Sequence, residues 1–456
     1  MEDGLFWGYV VALAWVPFWY ASNDLLAWGV NAVLFPGLAI CYEVSLLLRG
    51  KPHPIGVHVL RWPAGVFLVV IIWILCQTVT WSRAPIANPI WGMAANALGR
   101  RVPASISVDR DLTNLALLRL LTAASALWLS VQLSRNAARA RRLVGAVAAI
   151  GAGYAAYGIV ATRTGQLPLL DIVPQNGRVT SSFVNQNSFA AYAGLCLISA
   201  VGVVLHRYLG DAHRGAGNWR YHVASLLEIS GTGGALPIAA GLIILTALLM
   251  TGSRGGVIAV GMALLVLCFL SGRGGLGQGK PAITATVFTL LLVLGTALAF
   301  GDTFLDHLER RGLNDPNRLA VYRLTLRSIL DQPLAGYGYG TFARVFPMYR
   351  DRSLSVSGVW GQTHNTYLET MQGLGIVFGT LLIACIALLV LRCLKGSGRR
   401  REDAIVPQVA VSAAVLLGVN ALVDFSMQIQ AVALTWMALT GAGVAQSESP
   451  RAILDD

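Results

Sequence analysis

The sequence predicts an all-α polytopic membrane protein with about twelve transmembrane helices and a long, partly helical outer segment between the ninth and tenth. Composition gives the first reason: of 456 residues, 55% are hydrophobic and only 12% charged, with mean hydropathy +0.62. One soluble core could not bury that much apolar surface. The second reason is length, because about twelve apolar runs approach the roughly 20 residues that cross about 30 Å of hydrocarbon. The third is the placement of the short basic connections, every one of which follows an even-numbered run.

The first run, 5–21, follows Met-Glu-Asp-Gly without a basic leader or a small-residue cleavage site, so it is expected to stay as an anchor. The others are 25–48, 58–80, 112–134, 143–162, 187–206, 235–250, 254–270, 282–301, 365–391, 408–424 and 429–446. Short basic connections follow the even-numbered runs: Arg49 and Lys51; Arg135, Arg139, Arg141 and Arg142; Arg207, Arg214 and Arg220; Arg273 and Lys280; Arg392, Lys395, Arg399, Arg400 and Arg401. Positive-inside sorting places these connections and both termini in the cytoplasm. Residues 22–24, 81–111, 163–186, 251–253, 302–363 and 425–428 then face outward. The formal charge of +12 resides in such loops and implies no nucleic-acid partner. Cys41, Cys76, Cys196, Cys268, Cys385 and Cys393 show no CxxC spacing, so neither a disulfide framework nor a metal site is expected. No internal repeat or soluble domain is evident in 1–456, and the Gly-rich stretches 210–234 and 271–279 are expected to be flexible cytoplasmic loops.

Residues 302–363 are too many for a simple connector. Asp315 can cap a helix that opens on Pro316 and runs to Leu330. At about 100° per residue, Leu319, Tyr322, Leu326, Ile329 and Leu330 share a stripe expected to lie against the membrane domain or the interface. Arg318 and Arg323 fall on opposite edges of it and Arg327 points away, so either edge arginine could reach inward. Asp331, Pro333 and the run Gly336-Tyr337-Gly338-Tyr339-Gly340 then force a turn, permitting close backbone approach to a ligand or a neighbouring helix.

Other polar groups gather on the same face. Arg254 opens a helix after the tight turn Thr251-Gly252-Ser253, where unpaired N–H groups, the positive dipole end and a guanidinium fork suit phosphate oxygens. Snorkelling to lipid headgroups is the plainer role. The polar run from Asn176 through Arg178 to Asn187 could bind sugar hydroxyls or phosphate, although for Asn187 and Ser188 capping the helix is the favoured role. His364, followed by Asn365 at a helix start, could be structural, but it shares its face with Arg254 and Arg318, and an unperturbed imidazole pKa of about 6.5 suits proton abstraction. His307 stands in a charged run and is expected to be solvated. Asp424 could orient a base, pair with an arginine or cap a helix.

Gly252-Ser253-Arg254-Gly255, Asn317-Arg318-Leu319 followed by Pro333-Leu334-Ala335-Gly336-Tyr337-Gly338, and His364-Asn365-Thr366-Tyr367-Leu368-Glu369 with Gly373, Gly375 and Gly379, together resemble the O-antigen ligase and polymerase superfamily. The resemblance covers roughly 175–445. The runs Arg178 to Asn187 and Val423-Asp424-Phe425-Ser426 also resemble its exopolysaccharide members. The resemblance implies a metal-independent glycosyltransferase of the bacterial inner membrane that takes a glycan from undecaprenyl pyrophosphate on the periplasmic side, with no cofactor. The acceptor would be lipid A-core in a ligase, or a growing O-antigen or exopolysaccharide chain in a polymerase. The family's two essential arginines map to Arg254 and Arg318, and its essential histidine to His364; this mapping, not helix geometry, favours Arg318 over Arg323. Arg178, Asn187, Asn365, Tyr322 and Asp424 are the candidate pyrophosphate or glycan contacts. A lipid tail would enter between helices while the saccharide sits under 302–363. A transporter or flippase for lipid-linked glycan is the alternative class, although transporters usually set ionisable groups near the midplane on interrupted helices.

Overall fold

The computed structural model describes residues 2–80, 86–165, 177–212, 235–273, 316–355, 358–399 and 404–448. Among the described residues the chain is all-helical: α1 (Glu2–Trp15), α2 (Leu25–Arg49), α3 (Arg61–Thr78), α4 (Ile90–Leu98), α5 (Arg110–Leu133), α6 (Ala137–Thr164), α7 (Gln186–Ala212), α8 (Ala235–Met250), α9 (Arg254–Arg273), α10 (Pro316–Asp331), α11 (Phe342–Tyr349), α12 (Thr366–Arg399), α13 (Ile405–Asn420) and α14 (Gln430–Ser447). Among the described residues, seven spans are long and apolar enough to cross a membrane, and α8 and α13 are shorter apolar helices. The fold is that of a multi-pass membrane protein. Eleven of the predicted runs overlap a helix. The ninth, 282–301, lies outside the described residues, as do His307, Asp315 and most of the two Gly-rich loops.

The bundle is organised around α14, which is buried on every side, as expected of an apolar helix without a polar face. It packs against α5, α13 and α12. Small residues allow these close approaches: a Cβ at Gly441 would meet the Ser130 Cβ at 2.6 Å, and one at Gly151 the Cys196 Cβ at 2.2 Å. Such contacts drive helix association where lipid leaves no hydrophobic gain. Asp24, Asp109 and Asn136 cap α2, α5 and α6 by accepting backbone N–H bonds. At the end of the bundle away from α12's start, Arg139 pairs with Glu2 (2.9 Å) and Asp3 (3.1 Å), and Arg392 with Glu448 (2.8 Å).

Several expectations are corrected. The first run leaves helical geometry after Trp15, and Tyr20, Ala21 and Ser22 take φ of 48°, 56° and 53°. α4 forms inside a stretch read only as a connection, and α11 is a second helix in the 302–363 segment, where one was predicted. The α10 stripe, expected against the membrane domain or the interface, is divided between buried and exposed residues. Val321, Leu324, Thr325, Ser328 and Ile329 are buried, whereas Leu319, Leu326 and Leu330 are about half exposed or more (50%, 49% and 64%). The reason is that the Thr325 and Ser328 hydroxyls donate to carbonyls of their own helix, at 2.8 and 2.7 Å. Their small, satisfied side chains therefore let α10 approach α12, and Gln372 completes the contact by donating to Ser328 at 2.8 Å.

Candidate functional site

α12 begins at a turn that fixes the position of the imidazole. Asn365 caps the helix, its Oδ1 accepting from the Leu368 N–H (3.0 Å), while its Nδ2 donates to the Leu422 carbonyl (3.1 Å). The Thr366 N–H donates to the Ala421 carbonyl at 2.9 Å, so the start of α12 is stitched to the end of α13. His364 adopts φ +56°, a left-handed conformation that non-glycine residues avoid and that is retained only where surroundings enforce it. The Tyr322 hydroxyl donates to the His364 carbonyl at 2.9 Å, bringing α10 to the same turn. Asn365 and Tyr322 thus hold the site together through bonds to backbone.

Asp424 stands in the turn after α13, which ends at Asn420 and not at 424 as predicted. Its side chain is 3% exposed, and its Oδ1 lies 3.6 Å from His364 Nδ1. That is longer than a hydrogen bond, yet both atoms are buried and have no other hydrogen-bond partner. Catalytic hydrogen bonds often tighten only when substrate arrives. The second Asp424 oxygen accepts the Ser426 hydroxyl. Trp360 and Phe425 meet the imidazole edge-on, at centroid distances of 5.8 and 5.0 Å, and fix its plane. A proton on Nδ1, facing the carboxylate, leaves Nε2 as the basic nitrogen.

Three other elements carry cations close to this turn, one of them in direct contact with it. Arg318 Nη1 donates to the Val423 carbonyl at 2.9 Å. Arg254, at the first position of α9, is followed by Gly255, where a Cβ would lie 3.2 Å from Val423 Cγ2. Arg178 covers the preceding turn, its Nε 3.4 Å from where a Gly252 Cβ would stand. Geometry therefore distinguishes the two edge arginines of α10. Arg323 turns instead to Asp351, at 3.8 Å and with 67% of its side chain exposed. The Asp351 carboxyl is held below its ordinary range by hydrogen bonds from the Ser353 hydroxyl and N–H, with smaller help from Arg323 and Arg327.

Asn187 is not the cap of α7; its N–H donates to Asn185 Oδ1 at 2.7 Å, which makes Asn185 the capping side chain. The Gly336–Gly340 run approaches a neighbouring helix. Tyr337 and Gly338 donate N–H bonds to the Gln372 and Gly373 carbonyls, both at 3.0 Å, where α12 breaks its ladder at Gly375 (φ 80°, ψ 165°). Gln77 clasps both strands of this contact, donating to Ala335 and Gly373 carbonyls at 2.8 Å and accepting from the Tyr339 N–H at 3.1 Å. Sequence reasoning gave no role to Glu369, Thr363 or Arg119. Of these, Arg119 carried a signal, a charge inside the apolar run Leu117-Leu118-Arg119-Leu120.

Residues 239–384 match the family model described as O-antigen ligase. This segment holds Arg254, Arg318 and His364, and it supports the resemblance to the O-antigen ligase and polymerase superfamily. No curated protein matches the chain.

Proposed function

We propose that this chain, with an O-antigen ligase-like segment carrying three of its converging side chains, is a bacterial inner-membrane glycosyltransferase. It moves an oligo- or polysaccharide from undecaprenyl pyrophosphate to an acceptor hydroxyl at the periplasmic face, with both termini in the cytoplasm. Lipid A-core is the acceptor if it acts as a ligase, and a growing O-antigen or exopolysaccharide chain if it acts as a polymerase. The observation that carries this reading is the convergence on Val423 and Asp424: Arg318 bonds the first, the α9 start that bears Arg254 packs on it, and His364 faces the second.

The chemistry follows from those positions. His364 Nε2 accepts the proton of the incoming hydroxyl as its oxygen attacks the anomeric carbon. The bond from that carbon to the phosphate oxygen breaks, and undecaprenyl pyrophosphate leaves with the electron pair. Arg254 and Arg318, with Arg178 beside them, take up the negative charge that develops on the leaving group, the part that a metal ion plays elsewhere. Asp424 holds the imidazole and stabilises its protonated form. A single displacement inverts the anomeric centre. Residues 302–363 form the periplasmic subdomain above the saccharide, and confinement of both substrates to one membrane lowers the entropic barrier.

The test is transfer by purified protein supplied with lipid-linked glycan and each acceptor in turn, in the presence of EDTA. A ladder of lengthening products identifies a polymerase, and one discrete adduct on lipid A-core a ligase. His364→Ala is expected to lower transfer by at least about 100-fold while protein remains in the membrane. Full output from that variant, or a wild-type enzyme silenced by EDTA, overturns the mechanism.

A further inference from the structure

Behind the His364 turn lies a buried polar cluster that the reaction itself does not use. Glu369, in the first turn of α12, reaches back beneath the chain, and its Oε2 accepts both the Thr363 N–H (2.9 Å) and the Thr363 hydroxyl (2.6 Å). Thr363 is wholly buried. The Gln362 amide, with its nitrogen turned toward these acceptors, donates to Glu369 Oε1 at 2.6 Å and to Gln428 Oε1 at 2.5 Å. The Gln428 carbonyl in turn accepts from the guanidinium of Arg119. That guanidinium is seated 4.3 Å from the Trp28 ring, and its Nε is buried without a hydrogen-bond partner. Arg119 also interacts electrostatically with Glu369. A buried carboxylate and a buried guanidinium thus grip the two turns that carry His364 and Asp424, one through Thr363 and the other through Gln428.

We propose that Glu369 and Arg119 are positioning residues that lock the left-handed His364 turn against the Asp424 turn, so that Nδ1 stays aimed at the carboxylate. The inference rests on His364 being the base of the proposed transfer. An ordinary capping box pairs the third helical residue with the N-cap N–H, and here Asn365 already provides the cap. Glu369 bonds two residues earlier, immediately before the residue with positive φ. It is therefore free to fix the backbone entering His364, while Tyr322 fixes the carbonyl leaving it. Among the described residues, the charged and titratable groups about the imidazole are Asp424 from the α13–α14 turn, Glu369 from α12 and Arg318 of α10 on the neighbouring Val423 carbonyl, with the Tyr322 hydroxyl of α10 on its own carbonyl.

Glu369→Gln keeps an acceptor for Thr363 but removes the charge that answers Arg119. In the transfer assay it is expected to lower kcat by roughly 100-fold, the effect of about 1 Å of misplacement, with donor KM within about twofold of the parent. The limb of the kcat–pH profile set by the imidazole should move, because its partner is no longer held. Unchanged kcat and an unmoved limb, with His364→Ala inactive, overturn the positioning role alone. A parallel loss of thermal midpoint, donor binding and kcat with the limb unmoved also overturns it, since that is what a purely structural residue gives. If Glu369→Gln fails to accumulate, Thr363→Val and Thr363→Ser carry the test. Val is expected to reproduce the kcat loss and the moved limb while Ser restores both; equal behaviour of the two overturns the proposal. Activity in His364→Ala would instead remove the base itself and sink the underlying reading.

Discussion

At His364 the backbone adopts a costly conformation so that a side chain can be aimed. A φ of +56° is unfavourable for any residue with a Cβ, and it persists because Thr363, Tyr322 and the end of α13 hold the turn from three directions. The same logic ranks the arginines. Arg318 donates through one nitrogen to the Val423 carbonyl, so part of its fork is fixed by backbone while the remainder of the planar group keeps its orientation. Lysine preserves the charge but not the fork. Arg318→Lys should therefore lower kcat about 100- to 1,000-fold, the order seen when one preorganised donor is lost. Arg323→Lys, on an exposed pair with Asp351, should stay within about twofold. Equal effects of the two substitutions in the transfer assay would contradict a phosphate-clamping role for Arg318. Part of this scale was legible: Arg254, His364 and Asp424 carried signals of residue type and position, whereas Arg318 was told from Arg323 by the resemblance alone. Asn185 as the cap, and the Glu369–Arg119 cluster, were not legible, because each depends on which neighbour a side chain meets. Arg119 and Gln428, for example, are 309 positions apart.

Between α10 and α12, two glycine segments do jointly what neither sequence declares alone. The first supplies Gly336 at φ +65°, where a Cβ would stand 2.4 Å from the Gly373 carbonyl oxygen. The second supplies Gly375, whose break in α12 exposes carbonyls for the first to bond. The kink sets the direction of the α12 segment that starts at His364, so the packing of these glycines is coupled to the aim of the imidazole. Gly336→Ala meets both the left-handed penalty, about 1–3 kcal/mol, and a backbone clash that no side-chain rotation relieves. Gly99→Ala, at φ +61° with open space around it, meets the penalty only. Gly336→Ala should lower the thermal midpoint and transfer together, Gly99→Ala the midpoint modestly and transfer hardly at all; a Gly336→Ala protein indistinguishable from Gly99→Ala would dismiss the coupling. Long apolar runs were readable as helices because 20 consecutive apolar residues leave the chain few choices in a membrane. The short α4 and α11 were not. Nine and eight residues nucleate poorly alone, and α11 exists through contacts of Phe342, Val345 and Phe346 that only the folded chain supplies. The α10 stripe left two coverings open for a related reason: periodicity shows that a face is apolar, not whether protein or the membrane interface covers it.

Across the whole molecule, charge is sorted by end. Arg139 with Glu2 and Asp3, and Arg392 with Glu448, gather the start of α1, the end of α14 and two basic connections at one end of the bundle. The starts of α7, α9 and α12, with the turn after α13, bring Arg178, Arg254, His364 and Asp424 to the other. Partly exposed ion pairs add little stability, so their information is topological: they tie the start of α1 and the end of α14 to connections that positive-inside sorting assigns to the cytoplasm. The proposed reaction requires the converse, that the His364 end face the periplasm, and this orientation can be read without any enzymology. Val359, 96% exposed and five residues before His364, reports one end; Lys51, exposed in the connection after α2, reports the other. Four of the native thiols are buried, so replacing Cys41 and Cys76 by Ala suffices for a quiet background. On that background a membrane-impermeant maleimide, applied to spheroplasts, should label Val359→Cys and leave Lys51→Cys untouched until the membrane is permeabilised. The reverse pattern would set the cationic site on the cytoplasmic face, where a periplasmic glycan transfer could not use it, and would require the sidedness and the function to be abandoned together.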